Sequence, residues 1–395
     1  SRGGETIDLA GLGFVVRDSG MLGSGNVLSV TQGGTTDTLQ LNPAVNYTGD
    51  VFVAASDGAG GTQVTLGTPC YVAGTRIATP GGEVRVEALR AGDAVLADTG
   101  AGWQVRTVRW VGRVMVDLVR HPCPERAAPV RIRAHAIGPG RPLRDLLVSP
   151  DHAIFLDGVL IQAQALRNGA TVVQDFPARV TYCHIELDHH ALLCAEGLPA
   201  ESYLDTGNRA LFAGAAGVRP LHADLAGAAA WDERAVAPLL LGGARVAAAQ
   251  AGVRARAETL GWRLCGDPGL RVLADGVVLA LDAHGRAALP PGAGTIRLAS
   301  RRFVPRWLGL ADDRRRLGVA VATLRLDGRA LAPAAFGRGW HAAEAGWRWT
   351  DGDAHLALPA AAPRTLTLRL ADAGARYWQP PQPLPPPKAL KVMSV

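Results

Sequence analysis

The side chains best suited to covalent chemistry in this sequence are its five cysteines and ten histidines, and a few short stretches hold most of them. Cys70 stands in Gly67-Thr68-Pro69-Cys70-Tyr71-Val72-Ala73-Gly74-Thr75-Arg76. A thiol can attack a carbonyl carbon once it is a thiolate. Taken alone, though, a cysteine where sequence character changes is more often a small buried apolar residue. His152 follows a hydroxyl residue by three positions in Leu147-Val148-Ser149-Pro150-Asp151-His152-Ala153-Ile154-Phe155, inside a strand-like run. Its imidazole can move a proton near neutrality, yet alone it reads better as a hydrogen-bonded structural histidine. The stretch from Tyr182 to Leu193 adds His184, His189 and His190. The cysteines, Cys70, Cys123, Cys183, Cys194 and Cys265, are odd in number and contain no C-x-x-C pair. That argues against a zinc ribbon or a disulfide scaffold and leaves at least one thiol over. Cys183 and Cys194 fall on expected strands as core residues, while Cys123 falls in a loop.

Three regions must position these groups. Residues 1–69 are small, polar and β-branched. Gly25-Asn26-Val27-Leu28 is echoed by Gly49-Asp50-Val51-Phe52, each followed by a Gly-Gly turn, so the segment is expected to be the end of a β-solenoid-like repeat. Asp57-Gly58-Ala59-Gly60-Gly61 reads as a plain turn rather than a calcium loop. Residues 70–212 change to short alternating strands, as in Glu83–Val86, Ala94–Ala97 and Val105–Val108, with glycine turns between them. Residues 213–395 open with a helical stretch, Trp231 to Leu260, whose apolar stripe includes Leu239, Leu240, Val246 and Val253. Pro238 and Gly242-Gly243 are expected to break it. Strand patterning then returns, consistent with a β-sandwich, and a proline-rich tail closes the chain. The fold class is therefore mainly β.

Composition sets outer limits. Hydrophobic residues make up 48% of 395, enough for packed cores, and no apolar run is long enough for a membrane helix. The net charge of +6 comes from scattered arginines; the only lysines are Lys388 and Lys391. Without basic–aromatic clusters, this charge does not point to nucleic acid. The chain opens at Ser1 without a signal-like stretch and reads as a fragment or processed form.

Taken together, the three chemical stretches resemble the Hint (hedgehog/intein) domain, and in particular a bacterial Hint subfamily attached to repetitive surface proteins. Cys70 matches the cysteine that begins that domain, and Gly74-Thr75 matches the turn after it. Leu89-Arg90-Ala91-Gly92-Asp93-Ala94-Val95-Leu96 is similar to its Leu-x-x-Gly-Asp-x-Val-Leu segment. Ser149-Pro150-Asp151-His152 is similar to its Thr-x-x-His motif, and Val180 to Leu193 to its closing strand, with His190 as the closing histidine. Ala195 to Tyr203 looks like the bacterial subfamily. The resemblance implies an all-β horseshoe fold in which Cys70 attacks the Pro69 carbonyl to form a thioester. His152 would protonate the departing nitrogen, and Ser149 would bond the scissile backbone or the oxyanion. His184 would take a place where inteins often carry an acidic residue. It implies no metal and no organic cofactor. The partners are the chain's own upstream segment and an acceptor nucleophile such as water, a thiol or an amine.

Departures from the family refine this expectation. Inteins end in His-Asn before a nucleophile, whereas Asn208 lies in Gly207-Asn208-Arg209, so cleavage or transfer is expected rather than splicing. Gly112, in Trp110-Val111-Gly112-Arg113, stands where hedgehog modules carry an aspartate, which argues against sterol transfer. A secreted or surface-exposed bacterial protein is expected. The rival reading is an adhesin with a silent Hint fold, binding glycan through Trp340, Trp347 and Trp349 in the C-terminal region.

Overall fold

The computed structural model describes residues 7–13, 20–22, 27–32, 35–41, 52–56, 61–66, 70–121, 124–203, 235–359 and 365–381. Pro69, Cys123, Asn208, the Asp57–Gly60 stretch and the tail beyond 381 lie outside the described residues. The chain divides into two compact units, Ser1–Arg256 and Ala257–Val395. No helix among the described residues is long and apolar enough to cross a membrane.

The strands of the first 69 residues differ from the solenoid expectation. Ile7–Gly13, Gly61–Leu66 and Phe52–Ser56 form one antiparallel sheet, and Gly20–Leu22, Val27–Gln32 and Thr35–Gln40 form another. A parallel β-helix would stack its coils side by side in one direction. Here Gln32 pairs with Thr35, with only Gly33 and Gly34 between them in sequence. A Gly-Gly pair between alternating runs favours reversal of the chain over continuation of a coil.

From Cys70 onward two sheets carry the first unit. One has the order Trp110–Asp117, Arg179–Glu186, Tyr71–Val72, Leu146–Val148, Val130–Ile132 and Val172–Gln174. The other runs Trp103–Thr107, Ala94–Asp98, Leu192–Ala195, Leu198–Glu201, Ala153–Leu156, Val159–Gln162 and Leu239–Leu240; Arg76–Thr79 and Gly82–Arg85 join it at Leu192–Ala195. Tyr71, Ile77, Val95, Ile132, Ile154, Cys183 and Leu193 share one buried core drawn from both sheets. Alternation survives on the half-exposed strand Ala94–Asp98 but is lost on Arg179–Glu186, which is buried on both faces over its second half. The Leu89–Asp93 segment forms a turn. Gly92 adopts φ +94°, and the Asp93 carboxylate accepts the Arg90 N–H at 2.8 Å.

The expected break in the helical stretch is real and larger than anticipated. Leu239 and Leu240 form a strand parallel to Leu160 and Ile161, and the helix runs only from Gly243 to Thr259. Proline at 238 and the glycine pair end any helix before it can span the whole run. On the helix, Val246 and Val253 join the same core as Tyr71 and Ile154.

The second unit is a sandwich. A four-stranded sheet contributes Val272, Ile296, Leu298 and Leu356 to a core shared with Val321, Leu324, Leu366 and Leu368 of a larger antiparallel sheet.

Candidate functional site

Register alone brings the three chemical stretches together. Tyr71 pairs with Cys183 on one side and with Val148 on the other. One further step along those antiparallel ladders sets His184 and Ser149 on either side of Cys70. Residues opposite one another in a ladder share a face. The contacts follow: Cys70 Sγ lies 3.1 Å from His184 Nε2. The Cys70 N–H donates to Ser149 Oγ at 2.8 Å, and the Ser149 N–H donates to the Cys70 carbonyl at 2.8 Å. Ser149 therefore grips the backbone on both sides of the Cys70 α-carbon.

His152 is set by the tight turn after Ser149, its N–H donating to the Ser149 carbonyl at 3.1 Å. Its ring lies against Tyr71, centroids 4.3 Å apart, and both ring nitrogens are buried without a hydrogen-bond partner. An orphaned buried imidazole is rare in folded proteins. His190, in the loop after Arg179–Glu186, accepts the Val236 N–H on Nδ1 at 3.1 Å; its Nε2 lies 3.7 Å from Glu201 Oε2. His189 is exposed and takes no place in the site.

Electrostatics follow burial. The Cys70 thiol is held above its ordinary value, first by burial and then by Cys183, Asp151 and Glu201. Burial pushes His184 down to about 3. His152 is held well below its usual range by burial, reinforced by His184 and His190. Asp151 is pushed up to about 7 by burial and by Glu201, against the pull of Arg126 and Arg167. At neutral pH the centre is a protonated thiol between neutral imidazoles.

Gly112 has a structural cause. It pairs with His184, and a Cβ there would come within 2.2 Å of the Trp110 ring. Trp110 packs on Tyr203 at 5.6 Å between centroids, and Tyr203 packs on His184 at 4.8 Å. The strand can carry only glycine at this point because the indole covers it.

The remaining expected residues lie elsewhere. Cys183 is buried and Cys194 half-buried; neither is in a disulfide, nor are Cys70 and Cys265. In the second unit Trp349 is buried against Phe303. Trp340 is half-buried edge-on to Phe336, with its indole N–H donating to the His355 carbonyl at 2.9 Å. Trp347 is half-buried as well. Trp349 is therefore not an exposed part of the glycan platform that the rival reading calls for. No cluster of metal-ligating side chains occurs among the described residues. Sequence reading gave no role to Glu201, Asp151 or Tyr71. Only the oddity of a glutamate ending the apolar run Leu198–Glu201 could have pointed to the first.

Residues 69–207 match the Hint domain family. This part of the chain is a Hint domain. The chain is similar to the bacterial intein-like domain from Clostridium thermocellum (17% identity, 35% of this chain and 100% of that one, TM-score 0.27). It is also similar to a DnaB intein from Synechocystis sp. PCC 6803 (9% identity, 35% and 100%, TM-score 0.26) and to the gp41-1 intein (13%, 34% and 98%, TM-score 0.24). No curated protein matches the chain.

Proposed function

We propose that the Hint domain rearranges the Pro69–Cys70 peptide bond and releases the upstream segment without splicing. The observation that carries this reading is the seating of Cys70, its N–H on Ser149 Oγ at 2.8 Å and its Sγ 3.1 Å from His184 Nε2. The amide about to break is thus held through its nitrogen, and its nucleophile is the next atom group along the same residue.

In the tautomer with its proton on Nδ1, His184 Nε2 accepts the thiol S–H. The sulfur adds to the Pro69 carbonyl carbon, and the tetrahedral adduct collapses with loss of the C–N bond. His152 hands a proton to the departing Cys70 nitrogen, and the proton given up by the thiol restores the balance. The product is a thioester of the Pro69 acyl group on Cys70 Sγ, isomeric with the starting chain. Water then adds to the thioester and the C–S bond breaks, leaving a Pro69 carboxylate and a Cys70 thiol with a free α-amine. An added thiol takes the acyl group by exchange instead.

Intact mass of the purified chain, with and without dithiothreitol and beside Cys70→Ala, tests this. Two fragments parting between Pro69 and Cys70, absent from the variant, are expected. One uncleaved mass under all conditions would leave a silent Hint fold, as the adhesin reading requires.

A further inference from the structure

His152 is fixed by something other than hydrogen bonds to its ring, since both ring nitrogens lack them. What surrounds it converges on one buried residue. Glu201 is 1% exposed, at the end of strand Leu198–Glu201. Its Oε1 accepts the N–H of Ala153, the residue that follows His152, at 2.5 Å. Its backbone carbonyl accepts the hydroxyl of Tyr71 at 2.8 Å, and the Tyr71 ring is the surface on which His152 rests. Its Oε2 lies 3.7 Å from His190 Nε2, with no hydrogen bond between them, and the Val236 N–H on Nδ1 places a proton on Nε2.

We propose that Glu201 is the positioning residue of this centre. Its carboxylate holds the backbone next to His152 through the Ala153 N–H, its carbonyl anchors the Tyr71 ring against which the His152 imidazole lies, and its Oε2 is the acidic oxygen beside His190. A carboxylate buried to this degree is costly unless it is held by hydrogen bonds. Burial raises its pKa, while His190 and the Ala153 N–H oppose the rise. The other ionisable groups that feel it are Cys70, Tyr71 and Asp151, with Arg126 and Arg167 beyond Asp151. A wall with no special task could be apolar here at no such cost. The inference rests on the processing reading for what His152 does, but not for where His152 is held.

The test uses the full chain with Glu201→Ala, Glu201→Gln and Glu201→Leu. Thiol-induced cleavage is timed by intact mass, and the His152 and His190 ring resonances are followed by NMR in the Cys70→Ala background. An amide keeps an acceptor for Ala153, so Glu201→Gln should stay close to the unsubstituted rate and leave the His152 resonances in place. Glu201→Ala should move those resonances and slow cleavage on the order of a hundredfold, the scale of a misplaced reacting group. Should Glu201→Ala fail to fold, Glu201→Leu decides: it fills the site but removes the acceptor of the Ala153 N–H, and it should still shift the His152 resonances. Unmoved His152 resonances in Glu201→Ala, or in Glu201→Leu, overturn the proposal. So does a Glu201→Gln chain as impaired as Glu201→Ala. A chain that never cleaves, but whose His152 signals respond as stated, sinks the processing reading and leaves this one standing.

Discussion

Cys70 is a protonated thiol at neutral pH, so its attack on Pro69 should accelerate as pH rises. Burial holds its pKa up, and below that value the thiolate fraction climbs about tenfold per pH unit. Its neighbour at 3.1 Å cannot store the proton in advance. With a pKa of about 3, His184 is an imidazolium in roughly one molecule per ten thousand at pH 7. No standing thiolate–imidazolium pair exists, and between pH 6.5 and 8.5 the acyl shift should gain about a hundredfold. His184→Gln removes the ring contact but not the buried thiol. The loss of one neutral hydrogen bond, about 0.5–1.5 kcal/mol, should slow the reaction about two- to tenfold at every pH and leave the slope intact. The assay is single-turnover cleavage followed by intact mass at constant ionic strength. Dithiothreitol is raised until the rate no longer depends on it, so that capture of the thioester does not limit. A rate flat from pH 6.5 to 8.5 would refute the argument, because it would require a thiolate already present at the low end. A slope that vanishes in His184→Gln would refute it too, by making that ring the titrating group.

Two further substitutions probe the frame around the thiol. Ser149→Ala leaves the buried Cys70 N–H without its acceptor and should destabilise the first unit by about 1–3 kcal/mol in chemical denaturation; Ser149→Thr should restore both stability and cleavage, and a stable Ser149→Ala chain would show that the bond is not felt. Gly112→Ala drives a methyl into the Trp110 ring at 2.2 Å and should cost about 1–3 kcal/mol or more. Pairing it with Trp110→Ala should recover most of that loss relative to Trp110→Ala alone, and a double variant as unstable as the sum of the two would place the clash elsewhere.

The parts of this protein legible in its sequence are those that local rules decide. Alternation predicted strands over Ala94–Ala97 and Val105–Val108, where the structure has Ala94–Asp98 and Trp103–Thr107, and the glycine at 92 predicted the turn before them, because pleat and φ act within a few residues. The resemblance to the Hint family singled out Cys70, Ser149 and His152, and the sheet register sets the first two side by side although 79 positions separate them. Where the reading missed, the deciding partner was distant. Leu239 and Leu240 looked helical until Leu160 and Ile161 offered them a ladder. The echoed Gly-x-Val segments of residues 1–69 looked like stacking coils, although a repeat fixes similarity and not strand direction. Trp349, weighed between buried packing and a glycan platform, is buried because Phe303 lies against it.

Glu201 is the sharpest instance of a distant partner deciding a residue's meaning. Nothing within ten residues of it marks it as more than a charge at a strand end, since its partners are Tyr71, Ala153 and His190. Only a fold that sets strand Leu198–Glu201 beside Ala153–Leu156 brings this residue to the Ala153 N–H, the Tyr71 hydroxyl and His190. The thiol and the imidazoles can be read from residue type because their chemistry is intrinsic. A positioning residue has no intrinsic chemistry to read, only an address, and the address is written in the pairing of strands.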